Sequence, residues 1–386
     1  MKKKLLILAV AGFALASCSS DETTVSLANS GANEISFRPL NNGMTRAAEK
    51  SAFAANDVIN VWCTKGASSY FNNATFTYAA VGYSGFSSNP PYYWPSTIDA
   101  SDNKVTFYAT YAGTQTAAGA ISSFTPADEA ASQVDLLCSK LECTAKPASG
   151  EATLAFKHAL SEIIVKAKNS NSNLKIYVDG VKVGYVAHTG ALNFTTGSPV
   201  WTNTNPTGPA VAADVYSQTW ASANLLSSSL TDLTNIPDGA DEGDAPDTEP
   251  WMILPQNLAF SQSGSGVMEY TKAYKEKLKG SASSAANLDC AYIALQLTFQ
   301  DASTNADVVA KQWCYWPIST TWLAGKKYTY IIDAAQGGYQ PTNIDDDAGT
   351  DASKNLDRVL EGLEIRFNTS TSIETWVSES DIDVSM

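Results

Sequence analysis

Short runs of alternating apolar and polar residues recur along almost the whole chain, separated by glycine, asparagine, aspartate, serine and proline. Successive side chains of a strand point to opposite faces of a sheet, so this alternation is typical of strands with one buried face. Apolar residues spaced three and four positions apart, which would indicate helices, are almost absent. Many short strands with frequent turns are typical of β-sandwiches, and the sequence therefore predicts an all-β fold.

The predicted strands fall into two sets, divided by the polar segment NSNSN at residues 169–173. Seven strands precede this segment, enough for one sandwich: 34–40, 58–63, 75–81, 104–111, 133–139, 151–157 and 160–168. Nine follow it and predict a second sandwich: 174–178, 181–188, 211–218, 251–254, 267–271, 288–300, 308–317, 326–333 and 363–368. The acidic stretches 238–249 and 345–351 are expected to be exposed loops.

The N-terminus has the organisation of an export signal. Lysines at positions 2–4 precede an uncharged apolar run at 5–16, which is too short to span a bilayer as a mature helix. The run ends in LASC and resembles the bacterial lipobox, in which Cys18 receives a diacylglyceryl group before cleavage. The alternative is an ordinary secretory signal with an incidental cysteine. We expect a lipid anchor in the outer membrane, since two or three acyl chains give stable attachment.

Charge and cysteine content narrow the class of protein. The net charge of −14, without a Lys/Arg cluster outside the signal, argues against nucleic acid as a partner. Five further cysteines follow Cys18: Cys63, Cys138, Cys143, Cys290 and Cys314. An odd number cannot pair completely, and several lie in apolar runs where cysteine behaves as a small hydrophobe. We predict no dependence on disulfides.

No catalytic residue, metal site or cofactor is predicted. The only histidines, His158 and His188, lie in strand-like segments without a third partner for a Ser/His/Asp triad, so both are interpreted as structural. The acidic run at 345–351 lacks the glutamate and spacing of an EF-hand calcium loop. We therefore expect that the protein is not an enzyme, although paired carboxylates would be invisible without a fold.

Several segments, in order and together, resemble the fimbrillin family, the major and accessory pilins of Bacteroidota. They are ISFR at 35–38, YWP at 93–95, VTFYA at 105–109, LAFKHALSEI at 154–163, ILPQ at 253–256 and WLAGKKYTY at 322–330. The resemblance implies two transthyretin-like β-sandwiches in tandem, in a cell-surface pilus subunit that mediates adhesion. It also implies assembly with other fimbrillin subunits. A surface protease would cut after an arginine and remove the first strand, and a neighbour's C-terminal strand would fill the groove.

This resemblance leads to a division of the chain into four parts. They are the lipoprotein signal 1–18, a tether with the removable first strand at 19–46, an N-terminal sandwich at 47–170 and a C-terminal sandwich at 171–386. Ile35 and Phe37 give the first strand one apolar face, as a removable edge strand requires. We predict cleavage between Arg46 and Ala47, in a polar stretch that a protease can accommodate. The alternative is that Arg46 is simply a solvated loop residue.

Two C-terminal runs could donate a strand to a neighbour. Leu363, Ile365 and Phe367 alternate with polar residues, and Ile373 and Val377 belong to a second run. We favour the second run as the donor and expect the first to complete its own sandwich.

A different class of function is a surface-anchored glycan or host-ligand binder that does not polymerise. The densest aromatic cluster, Tyr92, Tyr93 and Trp94, could supply stacking platforms for a sugar. Core packing is the more frequent role of such aromatics in sandwiches.

Overall fold

The computed structural model describes residues 33–40, 53–79, 84–204, 215–234, 250–258, 291–318, 320–336 and 372–375. These residues form strands and two one-turn 3₁₀ helices, Ala130–Ser132 and Ala334–Gln336, so the predicted all-β fold is confirmed. The strands are β1 Ser36–Leu40, β2 Val58–Lys65, β3 Ser68–Ala79, β4 Gly85–Ser87, β5 Val105–Tyr111, β6 Ala120–Phe124, β7 Leu137–Cys143, β8 Glu151–Ala155, β9 Lys157–His158, β10 Ser161–Lys168, β11 Leu174–Gly184, β12 Gly190–Asn193, β13 Val200–Asn203, β14 Val215–Leu226, β15 Thr231–Asp232, β16 Trp251–Ile253, β17 Tyr292–Asp301, β18 Asp307–Pro317, β19 Lys326–Asp333 and β20 Ser372–Thr375.

The first half folds into one eight-stranded sheet in the order β8-β1-β4-β3-β2-β5-β7-β9. Only Phe156 separates β8 from β9, so both ends of the sheet meet in one segment of chain. The sheet therefore rolls around a single core, to which each strand contributes alternate side chains. Phenylalanines dominate this core, and the fully buried ones are Phe37, Phe76, Phe86 and Phe107.

The second half contains two sheets that share one core. One sheet has the order β15-β10-β19-β20, with β16 also paired to β10, and the other has the order β14-β11-β17-β18. Val165 of β10, Val183 of β11 and Leu295 of β17 are all fully buried in the common core. Two sheets closed over one apolar core form a β-sandwich. Its transthyretin-like form remains a prediction.

A fourth sheet, of three strands, joins the two halves. Strand β6 of the first half pairs with β12 of the second, and β13 completes the order β13-β12-β6. Leu136, Leu160 and Leu254 pack beside it in a small core of their own. The Gln133 side chain also accepts a hydrogen bond from the Met252 backbone N–H at 2.5 Å. The halves are therefore joined by strand pairing and by buried side chains.

Several sequence predictions are corrected by the strand pairing. The strand predicted at 160–168 was counted with the first sandwich, but β10 pairs in parallel with β19 of the second. Its alternation indicated which side chains are buried but not which strand lies beside it. The strands predicted at 174–178 and 181–188 are one continuous strand, β11, with a bulge between Val178 and Gly180. The predicted strands 267–271 and 363–368 and both acidic stretches lie outside the described residues.

Four of the cysteines lie in the described part of the chain, and all four are free and buried: Cys63, Cys138, Cys143 and Cys314. Burial raises the pKa of Cys138 to about 12 and that of Cys143 to about 11. These side chains are therefore neutral thiols at physiological pH, and a neutral thiol is a poor nucleophile and metal ligand. Cys18 and Cys290 lie outside the described residues.

Candidate functional site

Residues 33–40 are held in the first sheet on both sides. The Ile35 backbone N–H donates to the Tyr92 carbonyl at 2.8 Å, and the Trp94 N–H donates to the Asn33 carbonyl at 2.8 Å. The chain then continues as β1, parallel to β8 on one side and antiparallel to β4 on the other. The prediction that this strand lies at the edge of the sheet is therefore wrong, because β1 is an interior strand. Its alternation could show one buried face but not that both of its edges are paired.

Phe37 occupies the centre of the first core. Its ring centroid lies 4.9 Å from that of Phe76 and 5.0 Å from that of Phe107, both in edge-to-face geometry. Ile35 is also buried, at 2% exposure. Both residues predicted to form the apolar face thus lie in the core. Burial of side chains of this size stabilises a fold by about 1.5–3 kcal/mol each, so these two residues hold the strand in place.

Polar contacts at the ends of this segment lie nearer the surface. Arg38 forms an ion pair with Glu151 at 3.3 Å, with exposed side-chain fractions of 43% and 17%. The Asn33 side-chain oxygen accepts a hydrogen bond from Lys146 Nζ at 2.8 Å. Exposed ion pairs contribute about 0–1 kcal/mol. The apolar side chains of Ile35 and Phe37 therefore supply most of the free energy that holds the strand in the sheet, and these polar contacts contribute little.

The cluster Tyr92, Tyr93 and Trp94 is divided between the core and the surface. Trp94 is 6% exposed, and its indole N–H donates to the Gly150 carbonyl at 2.8 Å. Tyr92 packs against Phe71 in a tilted geometry, with 4.3 Å between ring centroids. Tyr93, at 51% exposure, is the most exposed member of the cluster. Tyr92 and Trp94 therefore pack with the first core, beside residues 33–35.

The predicted cleavage site lies in the connection that follows β1. Leu40 is the last described residue before this connection and Phe53 the first after it; Arg46 and Ala47 lie between them, outside the described residues. Phe53 is buried and packs edge-to-face on Phe86 at 4.8 Å. A cut after Arg46 would leave β1 on the N-terminal fragment and Phe53 with the rest of the sheet.

The described part of the C-terminal region lies on the chain's own second sandwich. Strand β20 is antiparallel to β19, which places Ile373 opposite Tyr328. Part of the run favoured as a donor is thus paired within its own chain. Its role as a donor remains a prediction, and Leu363, Ile365, Phe367 and Val377 lie outside the described residues.

Each histidine lies beside a carboxylate. His158 Nδ1 lies 2.7 Å from Asp135 Oδ2, with both side chains at least nine-tenths buried. His188 Nδ1 lies 3.5 Å from Asp128 Oδ1, and its ring packs 4.2 Å from that of Tyr216. Within the described ranges, no three metal-ligating side chains gather into a group. The same residues contain no helix long and apolar enough to cross a membrane.

Lys182 was not singled out from the sequence. In the structure it is a buried lysine, which is unusual because lysines are almost always exposed. It lies on β11 and is 7% exposed. Its Nζ donates to the Tyr315 hydroxyl at 3.1 Å and lies 4.2 Å from the centroid of the Trp313 ring. The Tyr292 ring centroid is 5.9 Å away. Desolvation by these aromatic neighbours lowers the pKa of Lys182 from 10.5 to about 8.

A pH dependence of stability follows from this lowered pKa. Between pH 8 and about 10.5 the folded state holds Lys182 neutral while the unfolded chain binds a proton there, so this group makes folding more favourable as pH rises. The free energy of unfolding of the wild type, measured relative to Lys182→Met, is expected to increase from pH 8 to pH 10.5. Denaturant titrations of both proteins at each pH measure this difference, in which the titration of the buried thiols cancels. A difference that stays constant with pH would contradict the assignment.

The chain is similar to known proteins in sequence and in fold. A family model described as Fimbrillin-like matches residues 45–346, a stretch that includes Arg46 but neither β1 nor the residues after 346. A fimbrial protein from Bacteroides vulgatus is similar in structure, with a TM-score of 0.51, 15% identity, and coverage of 78% of this chain and 95% of that one. A candidate cell adhesion protein from Bacteroides uniformis has a TM-score of 0.43 and 14% identity over 89% of this chain and 98% of its own. No curated protein matches the chain.

Proposed function

Because this chain belongs to the fimbrillin-like family, we propose that it is a subunit of a cell-surface pilus with a role in adhesion. It is exported as a lipoprotein precursor, anchored in the outer membrane through Cys18. Cleavage after Arg46 frees the first strand, and subunits then join when each receives a strand from its neighbour. Its partners are other copies of this chain or related pilus subunits, and the protein carries out no catalysis.

The position of β1 is the observation that carries this proposal. The strand lies between β4 and β8, and the predicted cleavage site follows it directly in the chain. After a cut, β1 would be held by non-covalent contacts alone. Its departure would leave unpaired backbone on both neighbours and an apolar cavity where Phe37 had been. Unpaired strand edges readily accept another strand, and main-chain hydrogen bonds with alternate side-chain pockets define the accepted sequence.

After cleavage, a subunit that has received a neighbour's strand has a lower free energy than a subunit whose groove is left empty. Removing Ile35 and Phe37 would expose apolar surface that contributes about 1.5–3 kcal/mol for each side chain. A donated strand with similar side chains would restore these contacts, so replacement costs little once the donor is at high local concentration. A lipid anchor provides that concentration by holding precursors at one membrane surface.

Cleavage and assembly are tested with the precursor and its Arg46→Ala variant. Treatment with a trypsin-like protease is expected to give a new N-terminus at Ala47 and a ladder of polymers on unheated gels. The variant is expected to stay monomeric because its first strand remains covalently attached. Arg38→Ala is the matched control and should be processed like the wild type, since residue 38 lies within β1, where it is paired with Thr153 of β8.

Two outcomes would contradict different parts of the proposal. A protein that begins at Ala47 and stays monomeric would overturn strand exchange. Polymers formed by uncut precursor would overturn the requirement for cleavage at Arg46. The intact mass of protein taken from the native cell surface tests the anchor: acyl chains on Cys18 are expected in the precursor, and a start at Ala47 in the polymer.

A further inference from the structure

Lys182 lies on the outward face of β11, between two positions that have no side chain. Val181 and Val183, on either side of it, point into the core of the second sandwich. Successive side chains of a strand point to opposite faces of the sheet, so Lys182 shares the outward face with Gly180 and Gly184. The two glycines leave room beside the lysine for side chains from the neighbouring strands.

Aromatic rings from β17 and β18 fill this room. A Cβ on Gly184 would collide with the Tyr292 ring, and a Cβ on Gly180 would lie 3.2 Å from the Trp313 ring. The third ring belongs to Tyr315, and its centroid lies 5.0 Å from the lysine Nζ. Tyr292 and Tyr315 are buried and Trp313 is half-buried. The amine is therefore surrounded by aromatic rings.

These surroundings suit a neutral amine better than an ammonium ion. Among the described residues, the Lys182 Nζ has one hydrogen-bond acceptor, the Tyr315 hydroxyl at 3.1 Å, and no carboxylate partner. The carboxylate of Asp179, on the same strand, pairs instead with Lys311 at 3.1 Å. A buried ammonium ion without a carboxylate is costly, so a lysine in such a site gives up its proton readily. A desolvated neutral lysine is the form that attacks carbonyl groups.

Small molecules can approach this amine from the side of β14. In the register of β11 with β14, Ser217 lies opposite Lys182, and residues opposite one another share a face of the sheet. Ser217 and Thr219 are both exposed. Because their side chains are short, they leave a path to Nζ on this side of the aromatic rings.

We propose that Lys182 binds a small apolar aldehyde covalently, as an imine on its Nζ. The nitrogen attacks the carbonyl carbon and a proton passes from nitrogen to the carbonyl oxygen, which gives a carbinolamine. The Tyr315 hydroxyl then protonates the carbinolamine oxygen, the C–O bond breaks and water leaves, and the remaining N–H proton returns to the tyrosine oxygen. One amine and one aldehyde thus give one imine and one water, with no oxidation or reduction.

The hydroxyl of Tyr315 is suited to this proton transfer. It lies within hydrogen-bond distance of the reacting nitrogen, and burial raises the pKa of Tyr315 to about 12, so the hydroxyl keeps its proton at neutral pH. The aromatic rings around Nζ favour an apolar aldehyde over a charged one. The binding needs neither cleavage after Arg46 nor a second subunit, so it is independent of pilus assembly.

Reductive trapping tests the site. The intact precursor is treated at pH 7.5 with benzaldehyde and cyanoborohydride, which reduces an imine to a stable benzylamine, and the labelled peptides are identified by mass spectrometry. About a quarter of the Lys182 side chains are neutral at this pH, against roughly one in a thousand for a lysine in water. Lys182 is therefore expected to be labelled at least tenfold faster than Lys175, the matched lysine of β11, whose Nζ bonds to Asn305. In denaturant the two rates should become equal.

Tyr315→Phe separates the hydroxyl from the ring. Imine formation at Lys182 is expected to slow at least tenfold, the usual minimum for loss of a proton donor, while acylation by a succinimidyl ester, which needs only the neutral amine, changes little. Denaturant titration verifies that the variant is folded. Equal slowing of both reactions would overturn the part assigned to the hydroxyl. Lys182 labelled by the aldehyde no faster than Lys175, whether or not the ester acylates it, would overturn the aldehyde site and leave the proposed pilus function untouched.

Discussion

Replacing Phe37 with alanine is expected to lower the free energy of unfolding of the precursor by about 3–5 kcal/mol, the usual cost of deleting a buried aromatic ring. Phe37 has no exposed surface and contacts two other fully buried phenylalanines. A strand of five residues cannot shift to close the cavity, because both its neighbours fix its register. Denaturant titration of the wild type and the variant measures the loss.

Leu40→Ala supplies the control for this measurement. Leu40 is in the same strand, but it is 45% exposed, so its truncation is expected to change the free energy of unfolding by about 0.5 kcal/mol or less. Equal effects of the two substitutions would contradict the central position of Phe37. Because the same contacts retain the strand after cleavage, Phe37→Ala should also speed its release from cut precursor.

The sequence predicted the buried side chains of this strand better than its position in the sheet. Alternation placed Ile35 and Phe37 on one apolar face, and both are buried. Their neighbours could not be predicted, because β8 lies more than a hundred residues away along the chain and nothing local to residues 34–40 specifies it. The same limit explains why 160–168 was assigned to the first sandwich.

The segment around Asp179 and Gly180 shows a different limit. An Asp-Gly pair between two apolar runs is typical of a tight turn, and separate strands are predicted from the sequence before and after it. In the structure the chain continues as β11 and forms a bulge there. Glycine suits the position for another reason: a Cβ on Gly180 would lie 3.2 Å from the ring of Trp313. Asp179, at 5% exposure, forms an ion pair with Lys311 at 3.1 Å.

At Lys182 the local sequence pattern and the observed burial differ. A lysine between Val181 and Val183 indicates an exposed face, yet aromatic side chains of β17 and β18 cover it. Tyr292 and Trp313 stand on strands more than a hundred residues further along the chain, and their alignment with β11 depends on the sheet register. The signal available in the sequence was the aromatic run WCYW at 313–316, which is denser than a solvated strand face requires.

Trp94→Ala is expected to lower the free energy of unfolding by about 3–5 kcal/mol, close to the effect of Phe37→Ala. The indole packs edge-to-face on Phe107 with 5.4 Å between ring centroids, and its removal would also leave the Gly150 carbonyl without its 2.8 Å hydrogen bond. Tyr93→Ala is the matched control, expected to cost about 1 kcal/mol or less because that ring is half exposed.

The two possible roles of the Tyr92, Tyr93 and Trp94 cluster give opposite results in this experiment. If Trp94 were a stacking platform for a glycan, the alanine variant would unfold like the wild type and lose only ligand binding. If Trp94 is a core residue, the alanine variant has a lower free energy of unfolding than the wild type. The cut precursor then also releases its first strand sooner, because the Trp94 backbone N–H bonds to Asn33, just before that strand. Denaturant titration, with the rate of strand release measured alongside, decides between them. The burial of the indole at 6% exposure favours the second result.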